Sequence, residues 1–251
     1  MATETTDDAV LGGRLRLLQP KRGHRVGHDA ILLAAATGAE AGEHAVDLGA
    51  GIGSAGLALA QRVPGLRVTL VDIDHDLCAL AAENAGRNGM SDRVSTLAAD
   101  IADLPCAALP PASAARVLMN PPFNDPRAHQ ISPDPRRRRA HAADPDLLAR
   151  WIGIAHRLLK ANGVLTLIWR ADGLGAVLGA LAPGFGDVAV LPVLPREGSP
   201  PIRILVRGVK GAAWTRRDFA ALALNDAAGM PSKEAEAVLR GGAILPLAEP
   251  G

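Results

Sequence analysis

Short apolar segments alternate with helical patterns through most of this 251-residue chain, and that alternation limits the fold more than any other feature. When successive strands are joined by helices, they run parallel in one sheet that is covered by helices on both faces. The predicted strands of this kind span residues 44–48, 67–72, 94–98, 116–119 and 164–169, and the predicted helices span 54–63, 75–88, 144–160 and 171–181.

Two further predicted strands, residues 187–193 and 202–209, break the alternation because their connection is too short for a crossover helix. They must pair as an antiparallel hairpin. The sequence therefore predicts an α/β fold: a Rossmann-like, doubly wound, seven-stranded and mostly parallel sheet with a C-terminal antiparallel hairpin. Outside the sheet we expect a frayed leader over residues 1–12, a helix over 30–37, and short helices over 216–224 and 233–240.

The composition supports a globular core, with 48% hydrophobic and 21% charged residues, and the net charge of +1 indicates no particular partner. The N-terminus is polar and acidic, unlike a signal peptide, and no apolar run reaches the roughly 18 residues that a membrane span needs. We therefore expect a cytoplasmic protein with no membrane partner. Cys78 and Cys106 lack the spacing of a metal site or a disulfide framework, so no metal is expected.

A glycine-rich turn follows the first predicted strand, with Gly49, Gly51 and Gly53 closely spaced after Asp47. Glycines in this position let the backbone approach a ligand at the carboxyl edge of a parallel sheet. A dinucleotide fingerprint places glycines similarly, but the carboxylate of Asp47 would repel a pyrophosphate. It suits the cationic amino group of S-adenosylmethionine, so the turn favours that cofactor.

Acidic residues also end the next two predicted strands. Asp72, followed by Ile73, can accept both ribose hydroxyls, while Asp100 can accept the adenine amino group and Ile101 can cover the adenine ring. A single aspartate here is commonly a helix cap or a turn residue, but three acids at three successive strand ends favour a bound cofactor. The predicted cofactor-binding residues are Asp47, Gly49, Ala50, Gly51, Gly53, Asp72, Ile73, Asp100, Ile101 and Asn120.

The fourth predicted strand ends in the tetrapeptide Asn120-Pro121-Pro122-Phe123. The two prolines fix φ and remove backbone donors, so they form a stiff turn with unpaired carbonyls. The Asn120 side-chain oxygen and the Pro121 carbonyl could hold the N–H groups of a planar amine while the Phe123 ring stacks on it. A purely structural turn is the alternative interpretation. These four residues are the predicted catalytic residues.

Taken in order, the glycine turn, Asp72, Asp100-Ile101 and the Asn-Pro-Pro-Phe turn resemble the class I S-adenosylmethionine-dependent methyltransferases. They are most similar to the branch with an Asn-Pro-Pro-aromatic motif, whose members methylate adenine N6 in DNA or RNA, guanine N2 in rRNA, or the glutamine side chain of release factors. Residues 19–33 and 203–211 are similar to the bacterial tRNA(Val) adenine-N6 methyltransferase group. Phe123 stands where the family more commonly has tyrosine, which keeps the stacking face and loses a hydroxyl.

This resemblance implies S-adenosylmethionine as the cofactor, N6-adenine methyl transfer as the activity, and a cofactor contact from His28 or Asp29. Independently of the resemblance, we expect three regions along the chain. These are an N-terminal leader and helix over residues 1–43, an S-adenosylmethionine-dependent methyltransferase domain over 44–211, and a C-terminal helical tail over 212–251 packed on the same domain.

Basic residues near the Asn-Pro-Pro-Phe turn indicate the substrate. A run of four arginines follows the turn, where phosphates beside a flipped base would pass, although such a run can also be merely solvated. We expect an RNA substrate, with tRNA as the leading candidate, and a protein that is a monomer or homodimer. The predicted substrate-binding residues are Lys21, Arg22, Arg127, Arg136, Arg137, Arg138 and Arg139.

Three alternatives stay open at this point. A protein glutamine N5-methyltransferase of the release-factor type would share the Asn-Pro-Pro motif, but such enzymes carry a helical substrate domain before the cofactor turn, and only about 45 residues precede Asp47 here. A guanine-N2 methyltransferase acting on rRNA is the second alternative. A nicotinamide-binding Rossmann protein is the third, and it leaves Asp47 and the Asn-Pro-Pro-Phe turn unexplained.

Overall fold

The structure, a computed structural model, describes residues 4–21, 26–122 and 146–249. The N-terminal region forms a β-hairpin followed by a helix, namely β1 (Thr5–Val10), β2 (Leu15–Pro20) and α1 (His28–Ala36). Strands and helices then alternate as β3 (His44–Leu48), α2 (Ser54–Arg62), β4 (Arg67–Asp72), α3 (His75–Arg87), β5 (Val94–Ala98) and β6 (Ala114–Met119).

The second half of the described chain continues this alternation and then ends in short elements. They are α4 (Leu147–Leu158), β7 (Leu159–Arg170), α5 (Leu174–Leu181), β8 (Phe185–Leu194), β9 (Arg203–Lys210), β10 (Arg216–Asp218), β11 (Leu222–Ala223) and α6 (Lys233–Leu239). No helix within the described ranges has both the length and the apolar composition to cross a membrane.

The central sheet has the strand order β10-β8-β9-β7-β6-β3-β4-β5, and β11 also pairs with β8. Strands β3, β4, β5, β6 and β7 all run parallel to one another. β9 runs antiparallel to both β7 and β8. The predicted α/β, doubly wound and mostly parallel sheet with a closing antiparallel hairpin is therefore confirmed.

Apolar residues cover both faces of the sheet and form two cores. On one face the N-terminal hairpin, α1, α2, α3 and α6 pack around residues such as Leu32, Leu57 and Leu70. On the other face α4 and α5 pack around residues such as Trp151 and Val206. The hairpin and α6 thus share a core with the sheet. The division of the chain into three regions, at residues 43 and 211, stays a prediction.

The prediction of a frayed leader over residues 1–12 is wrong for the described part of that segment. From residue 5 the chain forms β1, which pairs in antiparallel register with β2. Leu15 and Leu17 are fully buried, whereas Arg16 between them is exposed. This alternation is the pattern of a half-buried strand, and burial of the two leucines stabilises the hairpin on the rest of the fold.

The pattern over residues 216–224 predicts a helix, but the structure has β10 and β11 there, so the described residues contribute nine strands to the sheet rather than the predicted seven. Both short strands run parallel to β8. The Val188 amide donates to the Thr215 carbonyl at 2.8 Å, and the Phe219 amide donates to the Val190 carbonyl at 2.8 Å. Pairing with β8 satisfies backbone groups along its edge, a requirement that the local pattern does not contain.

Candidate active site

The carboxyl ends of β3, β4 and β6 lie side by side at one edge of the sheet. Leu48 in β3 pairs with Val71 in β4 and with Met119 in β6. The residues that follow these strands therefore meet in the crevice where open parallel sheets bind their ligands. In this way the fold brings together the glycine turn, Asp72 and Asn120, which are far apart in the sequence.

The glycine turn after β3 has the backbone geometry of a ligand-binding turn. Gly49, Gly51 and Gly53 have φ values of 74°, 56° and 87°, in the left-handed region that glycine adopts without strain. A Cβ on Gly49 would lie 2.7 Å from the Trp151 ring, whereas no described atom lies within 4 Å of a Cβ built on Gly51. The turn is packed against the core at Gly49 and open at Gly51.

Asp47, near the end of β3, is buried with only 2% of its surface exposed. One carboxylate oxygen accepts a hydrogen bond from the Gly56 amide in α2 at 2.8 Å. The pKa of Asp47 is raised to about 7, chiefly by burial; the Gly56 hydrogen bond opposes this shift and the nearby Asp72 carboxylate adds to it. The carboxyl group is therefore held inside the protein behind the turn, and its predicted contact with a cofactor amino group stays a prediction.

This pKa leads to a testable dependence of stability on pH. In the unfolded chain Asp47 should lose its proton near pH 3.8, but in the folded chain only near pH 7. Between these values the folded state holds a proton that the unfolded state has released, so the contribution of Asp47 to stability falls as pH rises. Asp47→Asn should therefore be more stable than the wild type at pH 8, by as much as about 4 kcal/mol, and about equal at pH 4.

Urea denaturation of both proteins without cofactor, from pH 4 to pH 8, measures this difference. If the two stability curves run parallel over the whole range, Asp47 titrates normally and the burial argument is wrong.

The carboxylate of Asp72 connects the glycine turn with the loop after β4. Its Oδ2 accepts a hydrogen bond from the Gly51 amide at 2.8 Å, and its Oδ1 accepts one from the Asp74 amide at 3.0 Å. Each carboxylate oxygen can accept more than one donor, and Asp72 is only half-buried. It can therefore hold the turn and still receive hydroxyl groups from a ligand.

The remaining predicted cofactor residues differ in exposure. Ile73 is 52% exposed. Asp100 is exposed and caps the short 3-10 helix Ile101–Asp103 by accepting from the Ala102 amide at 2.9 Å. Ile101 is only 4% exposed and belongs to the core under α4. Ile73 is thus the more accessible of the two isoleucines, and the proposed cover of an adenine ring by Ile101 stays a prediction.

Asn120, directly after β6, carries a buried side-chain oxygen at the edge of the sheet. Its Oδ1 is buried and has no hydrogen-bond partner among the described residues. A buried acceptor without a donor costs about 1–3 kcal/mol, and such groups are rare in folded proteins. Pro121 is buried and Pro122 is exposed, while Phe123 lies outside the described residues. The Asn120 oxygen therefore suits a donor supplied by another molecule.

Most of the predicted substrate-binding residues lie outside the described residues, namely Arg22, Arg127 and Arg136 to Arg139. Lys21 is described, and it is exposed and forms an ion pair with Glu4 at 3.2 Å. A role in substrate binding stays a prediction for all of them.

Two contacts at the site have little or no signature in the sequence. Asp29 in the first turn of α1 accepts a hydrogen bond from Arg203 Nε at 2.9 Å, which ties α1 to the start of β9. Asn84 in α3 donates to the Ile52 carbonyl in the glycine turn at 3.2 Å. The one sequence feature that points to Asn84 is its position, because it is a polar residue on the apolar face that the helix buries. A cofactor contact from His28 or Asp29 stays a prediction.

The chain is similar to known proteins over most of its length. Residues 25–191 match the family described as "Methyltransferase small domain". The tRNA1(Val) (adenine(37)-N6)-methyltransferase of Porphyromonas gingivalis (strain W83) is 35% identical over 155 residues, which cover 60% of this chain and 60% of that protein. The release factor glutamine methyltransferase of Chlorobaculum tepidum is 30% identical over 152 residues, which cover 58% of this chain and 52% of that protein.

These two alignments therefore span no more than 60% of the relatives' own length. A solved structure from Agrobacterium tumefaciens, described as a predicted O-methyltransferase, is similar over a longer range. It has a TM-score of 0.73 at 26% identity, covering 86% of this chain and 98% of the other. The shared architecture includes nearly all of that chain.

Proposed function

The chain belongs to the methyltransferase small domain family, and on that basis we propose that it transfers a methyl group from S-adenosylmethionine to the exocyclic N6 of an adenine in RNA, with tRNA as the substrate class. The observation that carries the proposal is the Oδ1 of Asn120, which is buried at the end of β6 and has no hydrogen-bond partner in the described part of the chain. It lies at the same sheet edge as the open glycine turn. A buried acceptor without a donor suits the N–H group of an incoming amine.

S-adenosylmethionine fits the residues around the glycine turn. The backbone is open at Gly51, and the half-buried Asp72 offers oxygens to the ribose hydroxyls. Asp47 would be drawn to its charged form by the cationic amino group of the bound cofactor, and Asp100 and Ile101 complete the proposed set for the adenine ring. When bound, the cofactor supplies a methyl group that is already activated as part of a sulfonium ion.

The chain's own task is to position the amine. An exocyclic amine conjugated to a ring is a weak nucleophile, so its orientation matters. Hydrogen bonds from the amine to Asn120 Oδ1 and the Pro121 carbonyl would direct the nitrogen lone pair toward the methyl group. These acceptors would also stabilise the positive charge that develops on nitrogen, as donors stabilise an oxyanion. Phe123 would stack on the base, which is worth about 1–3 kcal/mol.

Two observations support an RNA substrate. The Porphyromonas relative is named for methylation of adenine N6 in a tRNA. The four arginines at 136–139 follow the Asn-Pro-Pro-Phe turn in the sequence, where they would contact phosphates on both sides of the modified base. Lys21, Arg22 and Arg127 would extend that surface. We propose that the enzyme acts on tRNA in the cytoplasm and that it is a monomer or a homodimer.

A glutamine side chain is the second candidate substrate, and the specific support for it is the similarity to the Chlorobaculum enzyme. Its amide is planar and carries N–H groups, so Asn120 could hold it in the same way. A guanine amino group would use the same acceptors. The arginine run favours nucleic acid over protein, because a glutamine in a protein brings no phosphate. Membership of a methyltransferase family leaves the nicotinamide alternative without support.

The test of the proposal is to incubate the protein with labelled S-adenosylmethionine and, in parallel, with unmodified tRNA, rRNA and a release factor, and then to map the label. We expect label on adenine N6 in a tRNA. Label on a release-factor glutamine or on guanine N2 would show that the proposed substrate is wrong and that the proposed reaction, methyl transfer to nitrogen, is right. Calorimetry with S-adenosylmethionine and with NAD tests the cofactor, and tight binding of NAD alone would refute methyl transfer.

Replacing Arg136 to Arg139 with glutamine should weaken tRNA binding and flatten its dependence on salt. Each lost phosphate contact lowers the slope of log K against log salt by about 0.7–0.9, so four lost contacts should lower it by up to about 3.6. Filter binding at several salt concentrations measures this. The control is Arg216→Gln with Arg217→Gln, on the exposed strand β10 at the far end of the sheet order. An unchanged slope in the fourfold variant would show that the run is only solvated.

A further inference from the structure

Asn84 in α3 is fully buried and connects two segments that are remote in sequence. Its Oδ1 accepts a hydrogen bond from the Leu18 amide at 2.7 Å, and its Nδ2 donates to the Leu18 carbonyl at 3.0 Å. The same Nδ2 donates to the Ile52 carbonyl at 3.2 Å. Leu18 belongs to β2 of the N-terminal hairpin, and Ile52 belongs to the glycine turn. One side-chain amide therefore joins the hairpin to the turn.

Asn88, one helical turn after Asn84, contacts the same strand at Arg16. Its Oδ1 accepts from the Arg16 amide at 3.0 Å, and its Nδ2 donates to the Arg16 carbonyl at 2.7 Å. Four residues of a helix rise about 6 Å, close to the roughly 6.7 Å between alternate residues of a strand. The two asparagines thus bind one edge of β2 as a neighbouring strand would. Of these two asparagines, Asn84 is the one that also contacts the glycine turn.

The glycine turn depends on outside partners for its conformation. Ile52 lies between Gly51 and Gly53, both with positive φ, and glycines have more accessible backbone conformations than other residues. On one side of Ile52, the Gly51 amide donates to the Asp72 carboxylate at 2.8 Å. On the other side, the Ile52 carbonyl is held by Asn84. These two side chains hold the peptide groups 50–51 and 52–53, which flank the 51–52 peptide of the turn.

We propose that Asn84 is a positioning residue for cofactor binding, which holds the glycine turn in its binding conformation and couples it to the docking of the N-terminal hairpin. This inference rests on the proposed function, because it concerns the same cofactor site. Without the Asn84 bond the turn samples more conformations, and ordering it on binding then costs affinity. Because coupling between two sites is reciprocal, cofactor binding also strengthens the contacts of Asn84 with β2.

The variants Asn84→Ala and Asn88→Ala form a matched pair. Each removes two hydrogen bonds to β2, but Asn84→Ala alone releases the glycine turn. Asn84→Ala should lose more stability, because Asn84 is fully buried and also bonds the Ile52 carbonyl, so affinities are compared on folded proteins. By calorimetry, Asn84→Ala should bind S-adenosylmethionine about tenfold more weakly than the wild type, and Asn88→Ala should bind within about twofold of it. In the methyl-transfer assay the KM for the cofactor should rise in Asn84→Ala with a much smaller change in kcat.

A measurement on the unmutated protein keeps the inference testable if Asn84→Ala does not fold. The side-chain NH2 signals of Asn84 and Asn88 are followed by NMR as S-adenosylmethionine is added. The signal that disappears in Asn88→Ala is the signal of Asn88. Addition should shift the Asn84 signal and slow its exchange with water by about tenfold, while Asn88 changes little.

The outcomes separate the inference from the proposed function. A wild-type protein that does not bind S-adenosylmethionine overturns the proposed function and the inference with it. A wild-type protein that binds the cofactor, with equal affinities in the two variants or equal responses of the two amide signals, overturns the role of Asn84 alone.

Discussion

Replacing Asn120 with alanine should slow methyl transfer by about 10²–10³-fold and leave the affinity for S-adenosylmethionine nearly unchanged. The substitution removes the acceptor that would hold the amine, whereas the glycine turn and Asp72 stay in place. The apo protein should be as stable as the wild type or more stable, because the lost oxygen is buried and unpaired among the described residues. A loss of activity without a loss of stability is the signature of a group kept for function.

Single-turnover kinetics with a methylatable tRNA, calorimetry with the cofactor and thermal unfolding together measure these three effects. Asn120→Asp serves as the comparison, because a carboxylate keeps an acceptor oxygen at the same position, and it should retain more activity than alanine. If Asn120→Ala keeps wild-type activity, the amide oxygen does not grip the substrate amine and the central observation loses its functional meaning.

Replacing Asp72 with alanine should weaken binding of S-adenosylmethionine by about 100-fold, the second largest effect expected. Two hydrogen bonds from ribose hydroxyls to a carboxylate are together worth at least about 3 kcal/mol, which corresponds to that factor. The substitution also leaves the Gly51 amide without the acceptor that it has at 2.8 Å, so the turn loses part of its orientation as well.

Asp76→Ala is the matched control for this prediction. Asp76 lies four residues further on, exposed in the first turn of α3, so the change in charge is the same and the cofactor affinity should not move. Asp72→Asn keeps one acceptor oxygen without the charge, so its affinity for S-adenosylmethionine should lie between those of Asp72→Ala and Asp76→Ala. Calorimetry on folded proteins measures all three, and an unchanged affinity in Asp72→Ala would exclude Asp72 from the cofactor site.

Much of the fold could be predicted because its signals are local. The strands β3 to β9 follow from short apolar runs, and the antiparallel pairing of β8 with β9 follows from the short connection between them. The glycine turn could be recognised for the same reason, since positive φ at Gly49, Gly51 and Gly53 is a property of the residue type. Parallel pairing then places the ends of β3, β4 and β6 at one edge without further information.

The segments that could not be predicted depend on distant partners. The N-terminal hairpin is bound along β2 by Asn84 and Asn88, more than sixty residues later in the chain. β10 and β11 form because β8 offers a free edge to pair with. Side-chain amides of α3 bond the backbone of β2, and backbone hydrogen bonds join β10 and β11 to β8. In both places contacts with another part of the fold overrode a weak local preference.

The sequence by itself determined the order of strands and helices from β3 to β9, the position of the glycine turn and the candidate residues Asp47, Asp72 and Asn120, because each is encoded in adjacent residues. Only the tertiary structure decided their environments. It buried Asp47 so that its pKa rises to about 7, and it left the Asn120 oxygen without a partner among the described residues. Burial and hydrogen bonding are set by atoms from many segments at once, so they exist only after the chain has folded.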